Sequence, residues 1–293
     1  MTESRNVVVT GASSGIGAAL AKALAGDSFS VYACGRRREN LENVSRCVPR
    51  LNTFVCDVSK EEQVRSFVQF IRSHTSRIDA LINCAGGFGV IGPVTQVASA
   101  AWLHTLEVNL FGTFLMIKHI FPLMKGGHSP RILNFAGGGA LSPFPNYSAY
   151  AVSKAGVVRL TETLSEELAP SGITVNNVAP GFVVTEIHGA TLDAGENMAG
   201  EEHYELTLQK MKEGAVSMEL VVDCVRCMLG DETRGLTGKT VSASFDPWHS
   251  DAFQLHINEL NDSDLYTMRR INLVNLEPSP LRKALAATTK RSS

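Results

Sequence analysis

Short runs of β-branched and other apolar residues alternate along the chain with longer segments whose apolar positions recur at helical spacing. Residues 7–10, 30–34, 53–56, 80–83, 132–135 and 173–178 read as strands. Residues 15–25, 61–74, 99–124 and 148–168 have the length and period of helices. Strand, helix, strand repeated in this way builds a parallel sheet with right-handed crossovers and helices on both faces. No internal repeat or low-complexity linker interrupts it, so one domain is expected over residues 1–245. Two regions break the rhythm. Residues 182–216, after a Pro-Gly, are rich in Gly and Glu and read as a mobile insertion over the carboxyl edge of the sheet. Residues 246–293 form a C-terminal tail whose last ten or so residues are expected to be disordered.

Composition narrows the class. Hydrophobic residues make up 44% of the 293 and charged residues 19%, enough to bury a full core. A net charge of −2 gives no general drive toward nucleic acid or anionic membrane, and neither is expected as a partner. The most apolar stretch, 107–124, is interrupted by Asn109, Lys118, His119 and Pro122, short of the roughly 20 apolar residues of a membrane span. The first strand is read within a few residues of the beginning, so no targeting segment is expected. The six cysteines show no disulfide framework, and cytoplasm is the expected compartment. Cys224 and Cys227 form a lone C-x-x-C in the helical MELVVDCVRCML and read as core. The eight histidines have no metal-type partners at ligand spacing, so no metal is expected.

The stretch VVVTGASSGIGAAL sets Gly11, Gly15 and Gly17, with Ile16 between the last two, at the passage from a buried strand into a helix. Glycines there let the backbone approach a pyrophosphate at a helix N-terminus, and Ser13 and Ser14 add hydroxyl donors. TGASSGIG, followed by NCAG at 83–86 and YAVSK at 150–154, resembles the short-chain dehydrogenase/reductase family over about residues 5–245. The resemblance implies a Rossmann-type doubly wound sheet, a nicotinamide cofactor, and redox chemistry between a carbonyl and an alcohol. It also implies that Asp57 and Val58 hold the adenine ring, that Asn83, Ala85 and Gly86 pass close to the nucleotide, and that Pro180, Gly181, Val183 and Thr185 of PGFVVT face the nicotinamide end.

The second strand ends in Gly35, where an acidic side chain would favour NAD, and Arg36, Arg37 and Arg38 follow. A guanidinium grips a 2′-phosphate through forked hydrogen bonds, so NADP(H) is expected with Arg36 as the contact. Arg37 and Arg38 read as solvated charges at a helix start.

Tyr150 and Lys154 stand four apart and share a helix face. An ammonium nearby favours the phenolate and lowers the tyrosine pKa from its usual value near 10. In reduction Tyr150 would give its proton to the nascent alkoxide. By resemblance, Lys154 would also bind the nicotinamide ribose and Asn109 would join a water relay. The family places a serine thirteen residues before the tyrosine, and that position here is Gly137, between Ala136 and Gly138. Three replacements stay open: a backbone N–H of residues 137–139; a hydroxyl of Ser142, Tyr147 or Ser148; or a donor carried by the substrate itself. The glycines could instead serve only a turn that needs positive φ.

The expected function is NADP(H)-dependent interconversion of a ketone and a secondary alcohol on a small-molecule substrate. Two alternatives are a non-redox epimerase or dehydratase of the same family type, and an NADPH-binding protein with impaired catalysis. The resemblance further implies a homodimer or homotetramer paired through residues 99–124 and 148–168. His188 reads as a lone polar residue of the 182–216 segment, Trp102 as core, and Trp248 as a cap over a pocket or interface. Pocket-lining residues would come mainly from 186–216 and the tail, so a keto-sugar, a polyketide intermediate or a steroid-like ketone are all admissible.

Overall fold

The computed structural model describes residues 5–27, 29–127 and 129–269; the expected disorder of the last ten residues or so concerns residues outside these. Seven strands form a single sheet: β1 (Asn6–Thr10), β2 (Ser30–Gly35), β3 (Leu51–Val55), β4 (Ala80–Asn83), β5 (Arg131–Phe135), β6 (Thr174–Ala179) and β7 (Thr240–Ser242). All pairings are parallel, in the order β3-β2-β1-β4-β5-β6-β7. The order reverses between β1 and β4, the switch point of a doubly wound Rossmann-type sheet, where ligands bind outside the carboxyl ends of the strands. The six strands read from the sequence are all present, with ends shifted by a residue or two. The seventh, only three residues long, carried too little pattern to be read.

Both faces of the sheet are covered, and the alternation along β1 shows how. Val7 and Val9 enter one core with α1 (Gly15–Gly26), α2 (Arg38–Ser45) and α10 (Met218–Leu229). Val8 points the other way, into a second core with α3 (Glu61–Arg72) and α5 (Gly112–Met124). The long segment 99–124 is α4 (Ser99–Leu106), a π-helical turn (Glu107–Phe111) and α5 in continuous succession. Its length and mean hydropathy of 1.2 would suit a membrane span, but Leu115, Met116 and Ile120 are fully buried in the second core. The π turn, a feature often found at functional sites, holds Asn109.

The 182–216 segment is largely helical. A 3-10 turn (Glu186–His188) leads into α7 (Gly189–Ala194), α8 (Glu196–Ala199) and α9 (Glu201–Glu213). Gly195, Gly200 and Gly214 divide these pieces at positive φ. α7 and α8 are short, and the segment gives only a few apolar residues to a small satellite cluster while Leu206, Leu208 and Met211 of α9 stay exposed, which is why it shows no clear period. Past residue 245 the chain stays on the domain. Trp248, Phe253, Ile257 and Leu260 join the first core, and Trp248 Nε1 donates to the Ala243 carbonyl at 3.0 Å. Trp248 is therefore a core residue, not a cap over the cleft. Trp102 is half-buried and donates to Ser148 Oγ at 3.0 Å. Cys224 is buried core, and no cluster of metal-ligating residues occurs among the described residues.

Helix α6 (Ser148–Glu167) carries both Tyr150 and Lys154. A buried chain of side-chain hydrogen bonds fixes it to the sheet. Asn83 Nδ2 donates to Asn134 Oδ1 (2.9 Å), Asn134 Nδ2 to Thr161 Oγ1 (2.8 Å), Thr161 Oγ1 to Asn177 Oδ1 (2.9 Å) and Asn177 Nδ2 to Thr240 Oγ1 (3.1 Å). The chain crosses β4, β5, α6, β6 and β7, with Thr161 as the link from the helix. Replacing Thr161 by Val would leave an amide donor and an amide acceptor buried without partners. Thr161→Val is expected to cost about 2–4 kcal/mol, read as a lower urea midpoint at unchanged slope, while Thr161→Ser keeps most of the stability. Equal stability of the two variants would contradict this role.

Candidate active site

A cavity of about 780 Å³ lies across the carboxyl ends of β1, β2, β4, β5 and β6. One end is walled by the glycine loop after β1. Gly11 takes φ +71°, and a Cβ on it would stand 2.8 Å from the Ala85 backbone; a Cβ on Gly17 would stand 2.5 Å from the Gly11 carbonyl oxygen. Only glycines allow this close path. Thr10 Oγ1 accepts from the backbone N–H groups of Cys84 (3.1 Å) and Ala85 (3.0 Å), tying the NCAG turn to the loop. Gly35 is buried, and a Cβ there would touch Ser13 at 3.0 Å, so the position that could hold an acidic side chain is packed against the loop instead.

The β2–α2 turn is stitched to the same loop. Asn40 Nδ2 donates to the Ser13 carbonyl at 3.1 Å, and Arg37 Nη2 donates to Ser14 Oγ at 2.5 Å. Arg37 Nη1 also pairs with Glu186, at 2.7 Å, from the far side of the cleft. Arg37 is thus not merely a solvated charge; it reaches over the mouth of the cavity. Arg36 lines the cavity on the Asp57 side. Burial would raise the Asp57 carboxyl, but hydrogen bonds from Ser59 Oγ (2.8 Å) and N–H (3.0 Å), together with the Arg36 charge, hold it below its ordinary value. Neither Arg37 nor Asn40 stood out in the sequence, because nothing local distinguishes a bridging side chain from a surface one.

Ser13, Ser14, Gly15, Ile16, Val58, Gly86, Pro180, Gly181, Val183 and Thr185 also line the cavity; Asn83 and Asn109 stand behind its wall. Asn83 belongs to the buried chain described above. Asn109 braces the loop after β4, with Nδ2 donating to the Gly87 carbonyl (2.9 Å) and Oδ1 accepting from the Gly87 N–H (3.0 Å). The same Nδ2 reaches Ser153 Oγ at 2.9 Å, and Ser153 Oγ donates to the Tyr150 carbonyl at 2.7 Å.

Tyr150 and Lys154 are each 6% exposed and open on the cavity. Lys154 Nζ donates to the Phe135 carbonyl at 2.8 Å and lies 5.9 Å from the Tyr150 ring centroid. Burial pushes the ammonium down to about 8. Burial also pushes the Tyr150 phenol up, opposite to the lowering expected from the nearby lysine. Gly137 and Gly138 line the cavity beside Tyr150, whereas Ser142, Tyr147 and Ser148 do not. Tyr147 Oη donates to Thr191 Oγ1 at 3.0 Å, and Ser148 Oγ accepts from Trp102, so neither hydroxyl substitutes for the missing serine.

Beyond Tyr150 the cavity becomes an aromatic chamber. The Phe88 ring stands edge-on to Tyr150 (4.9 Å between centroids), Tyr147 (5.1 Å) and His188 (5.7 Å). His188 stacks on Phe182 at 3.8 Å, and its Nε2 donates to the Val183 carbonyl at 3.1 Å. Burial lowers His188 to about 4 and lowers His203, so both rings are neutral near pH 7. His188 is a wall of the chamber and not a lone polar loop residue. Of the charged lining residues, Arg36, Arg37, Asp57 and Glu186 gather toward the glycine loop, while Lys154 stands beside Tyr150.

Residues 5–195 match the family model described as short chain dehydrogenase. The 3-oxoacyl-acyl-carrier-protein reductase FabG of Rickettsia conorii is 29% identical over 236 residues, covering 80% of this chain and 92% of that one. Among solved structures, an actinorhodin polyketide ketoreductase with NADPH superposes with a TM-score of 0.72 at 28% identity, covering 82% of this chain and 95% of that one. An NAD+-bound xylitol dehydrogenase gives 0.73 at 28%, with coverage of 81% and 96%. The family-model match spans well over half of the chain, and the sheet order and glycine loop accord with it: the chain belongs to the short-chain dehydrogenase/reductase family, oxidoreductases that bind a nicotinamide cofactor and act on carbonyl and alcohol groups.

Proposed function

We propose that this chain is an NADP(H)-dependent ketone reductase with Tyr150 as its proton donor, acting on uncharged ketones with an apolar or aromatic body. The observation that carries the reading is the position of Tyr150: a buried, protonated phenol where a glycine-lined nucleotide cradle meets a neutral aromatic chamber.

The cleft fits a nicotinamide dinucleotide. Gly11 and Gly17 let the loop fold closely against the backbone of Ala85 and of Gly11 itself, the loop opens on the N-terminus of α1, and the volume suits a ligand of that size. When bound, the reduced nicotinamide supplies hydride to a carbonyl carbon. Ser13, Ser14 and the glycine loop would hold the pyrophosphate, Asp57 and Val58 the adenine end, and Val183 and Thr185 the nicotinamide end. Gly35 removes the carboxylate that would repel a 2′-phosphate, and Arg36 and Arg37 offer it two guanidinium groups. The NADPH-bound ketoreductase neighbour supports this choice, although the xylitol dehydrogenase neighbour carries NAD+.

Tyr150 gives its proton to the carbonyl oxygen as charge develops there. Lys154, with two ammonium donors free of protein partners among the described residues, would bind the ribose and stabilise the phenolate left behind. Asn109 holds the floor of the site through Gly87 and Ser153. Apart from Lys154, whose ammonium this reading assigns to the ribose, the lining around the chamber offers no cation to pair a substrate anion, so keto acids are disfavoured by the cost of burying a poorly paired carboxylate. Leu103, Phe111, Phe114 and Val152 are exposed on α4, the π turn, α5 and α6, which supports a homodimer or homotetramer through those helices. A solution mass of one chain would remove that part of the proposal.

NADPH oxidation with neutral aryl and alkyl ketones should fall at least about 10³-fold in Tyr150→Phe, with NADPH affinity kept. Full activity of the variant would sink the assignment. In the reductive direction kcat/KM should decline as pH rises through about 8, where Lys154 in the free enzyme loses its charge. A profile flat to pH 10 would contradict a role for that ammonium. For the nucleotide, Arg36→Ala with Arg37→Ala should weaken NADPH binding by about 10- to 100-fold and leave NADH nearly unchanged. Equal losses for both nucleotides would mean that neither arginine reads the 2′-phosphate.

A further inference from the structure

Gly137 occupies the place where the family carries a serine hydroxyl, and the simplest view of it is a vacancy. The geometry points the other way: we propose that Gly137 is a positioning residue, whose missing side chain makes the space in which the Tyr150 hydroxyl sits. The proposal rests on the reading of Tyr150 as proton donor.

A Cβ built on Gly137 would run into Tyr150 Oη and stand 2.9 Å from Cζ, inside the limit that real Cβ atoms keep. The backbone itself does not require glycine here. Gly137 is absent from the positions with positive φ, unlike Gly139 at +79°. Residue 137 therefore lies outside the left-handed region that favours glycine, and positive φ does not explain it. What excludes a side chain is the phenol.

Both partners are tethered, and the open side of the phenol is the cavity. On the glycine side, the Ala136 N–H donates to the Val178 carbonyl at 3.0 Å and the Gly137 carbonyl accepts from Ala140 N–H at 3.1 Å, so the segment is pinned on both sides. On the tyrosine side, the ring is held edge-on by Phe88, and the Tyr150 carbonyl is bonded by Ser153, itself held by Asn109. One turn on, Lys154 is fixed to the Phe135 carbonyl, two residues before Gly137. A serine at 137 would thus push the phenol away from the lysine and the chamber. The hydroxyl it brought would not compensate, since misplacement by about 1 Å can cost on the order of 10²-fold in rate. It follows that the substrate oxygen meets the phenol directly against the glycine backbone, with no side-chain hydroxyl between them.

The test uses Gly137→Ala and Gly137→Ser in two backgrounds, native and Tyr150→Ala. In the native background both should lower kcat by about 10²-fold or more, with NADPH affinity and KM changed little. They should also lower the melting temperature by about 2–8 °C. In the Tyr150→Ala background the same substitutions should leave the melting temperature unchanged, because the group they strike is gone. A variant that fails to fold in the native background but folds with Tyr150→Ala gives the same answer. A rise in kcat with Gly137→Ser would overturn the proposal, as would an equal melting loss in both backgrounds or none in either. Should Tyr150→Phe prove fully active, the reductase assignment fails, while the melting comparison still reports whether glycine makes room for the ring.

Discussion

The site depends on how α6 is seated on the sheet. Tyr150, Lys154 and Thr161 are all buried on that helix, and at about 3.6 residues per turn the step of eleven from Tyr150 to Thr161 is close to three whole turns. The stripe that presents the phenol and the ammonium is therefore the stripe that Thr161 bolts to Asn134 and Asn177. A buried polar chain of this kind is costly when half-made and specific when complete. Apolar packing alone would let the helix slide or roll by fractions of a turn; the paired amides and hydroxyls permit one register. Asn109, in its π turn, does the same for the other end of the helix through Ser153.

Given that seat, the cleft divides by charge. Arg36, Arg37, Asp57 and Glu186 gather at its nucleotide end, Lys154 stands at the junction beside Tyr150, and the chamber end is aromatic with two histidines whose charging burial opposes. Burial keeps the phenol protonated and weakens the ammonium, both directions set by the cost of charge in a dry site. The Arg37–Glu186 pair across the mouth is solvent-exposed, so it contributes little stability by itself. Its interest is in which groups it holds together: the strand-end arginine, the phosphate-loop serine and the segment that covers the chamber.

Much of this was legible in the chain because it depends on local chemistry. Six strands followed from short β-branched runs, and the glycine loop, Tyr150 and Lys154 followed from motifs whose spacing is fixed by a helix or a tight turn. What escaped was relational. Nothing around Arg37 tells that its side chain crosses to Ser14 and Glu186. The helices of 186–213 place only a few apolar residues, such as Ala199 and Tyr204, on a satellite cluster and leave Leu206, Leu208 and Met211 exposed, so they lack the period of a core helix. Trp248 lies in a stretch without periodicity, yet it fills the first core. Helix spacing tells that Lys154 is near Tyr150 but not how deeply the fold buries the phenol, and it is burial that sets the direction of its shift. Gly137 was visible as a missing serine; that its side-chain volume is occupied by Tyr150 could be seen only in three dimensions.

The central claim is that this cleft performs redox chemistry on a carbonyl and does not use its nucleotide in some other way. A single turnover with NADPH deuterated at the transferable nicotinamide position and a neutral aryl ketone tests it directly, with the alcohol examined by mass spectrometry. Hydride transfer puts one deuterium on the carbinol carbon and yields one equivalent of oxidised nucleotide per alcohol formed. Conversion of substrate across the same panel with the nucleotide left unchanged would contradict it and place the enzyme among the epimerases or dehydratases.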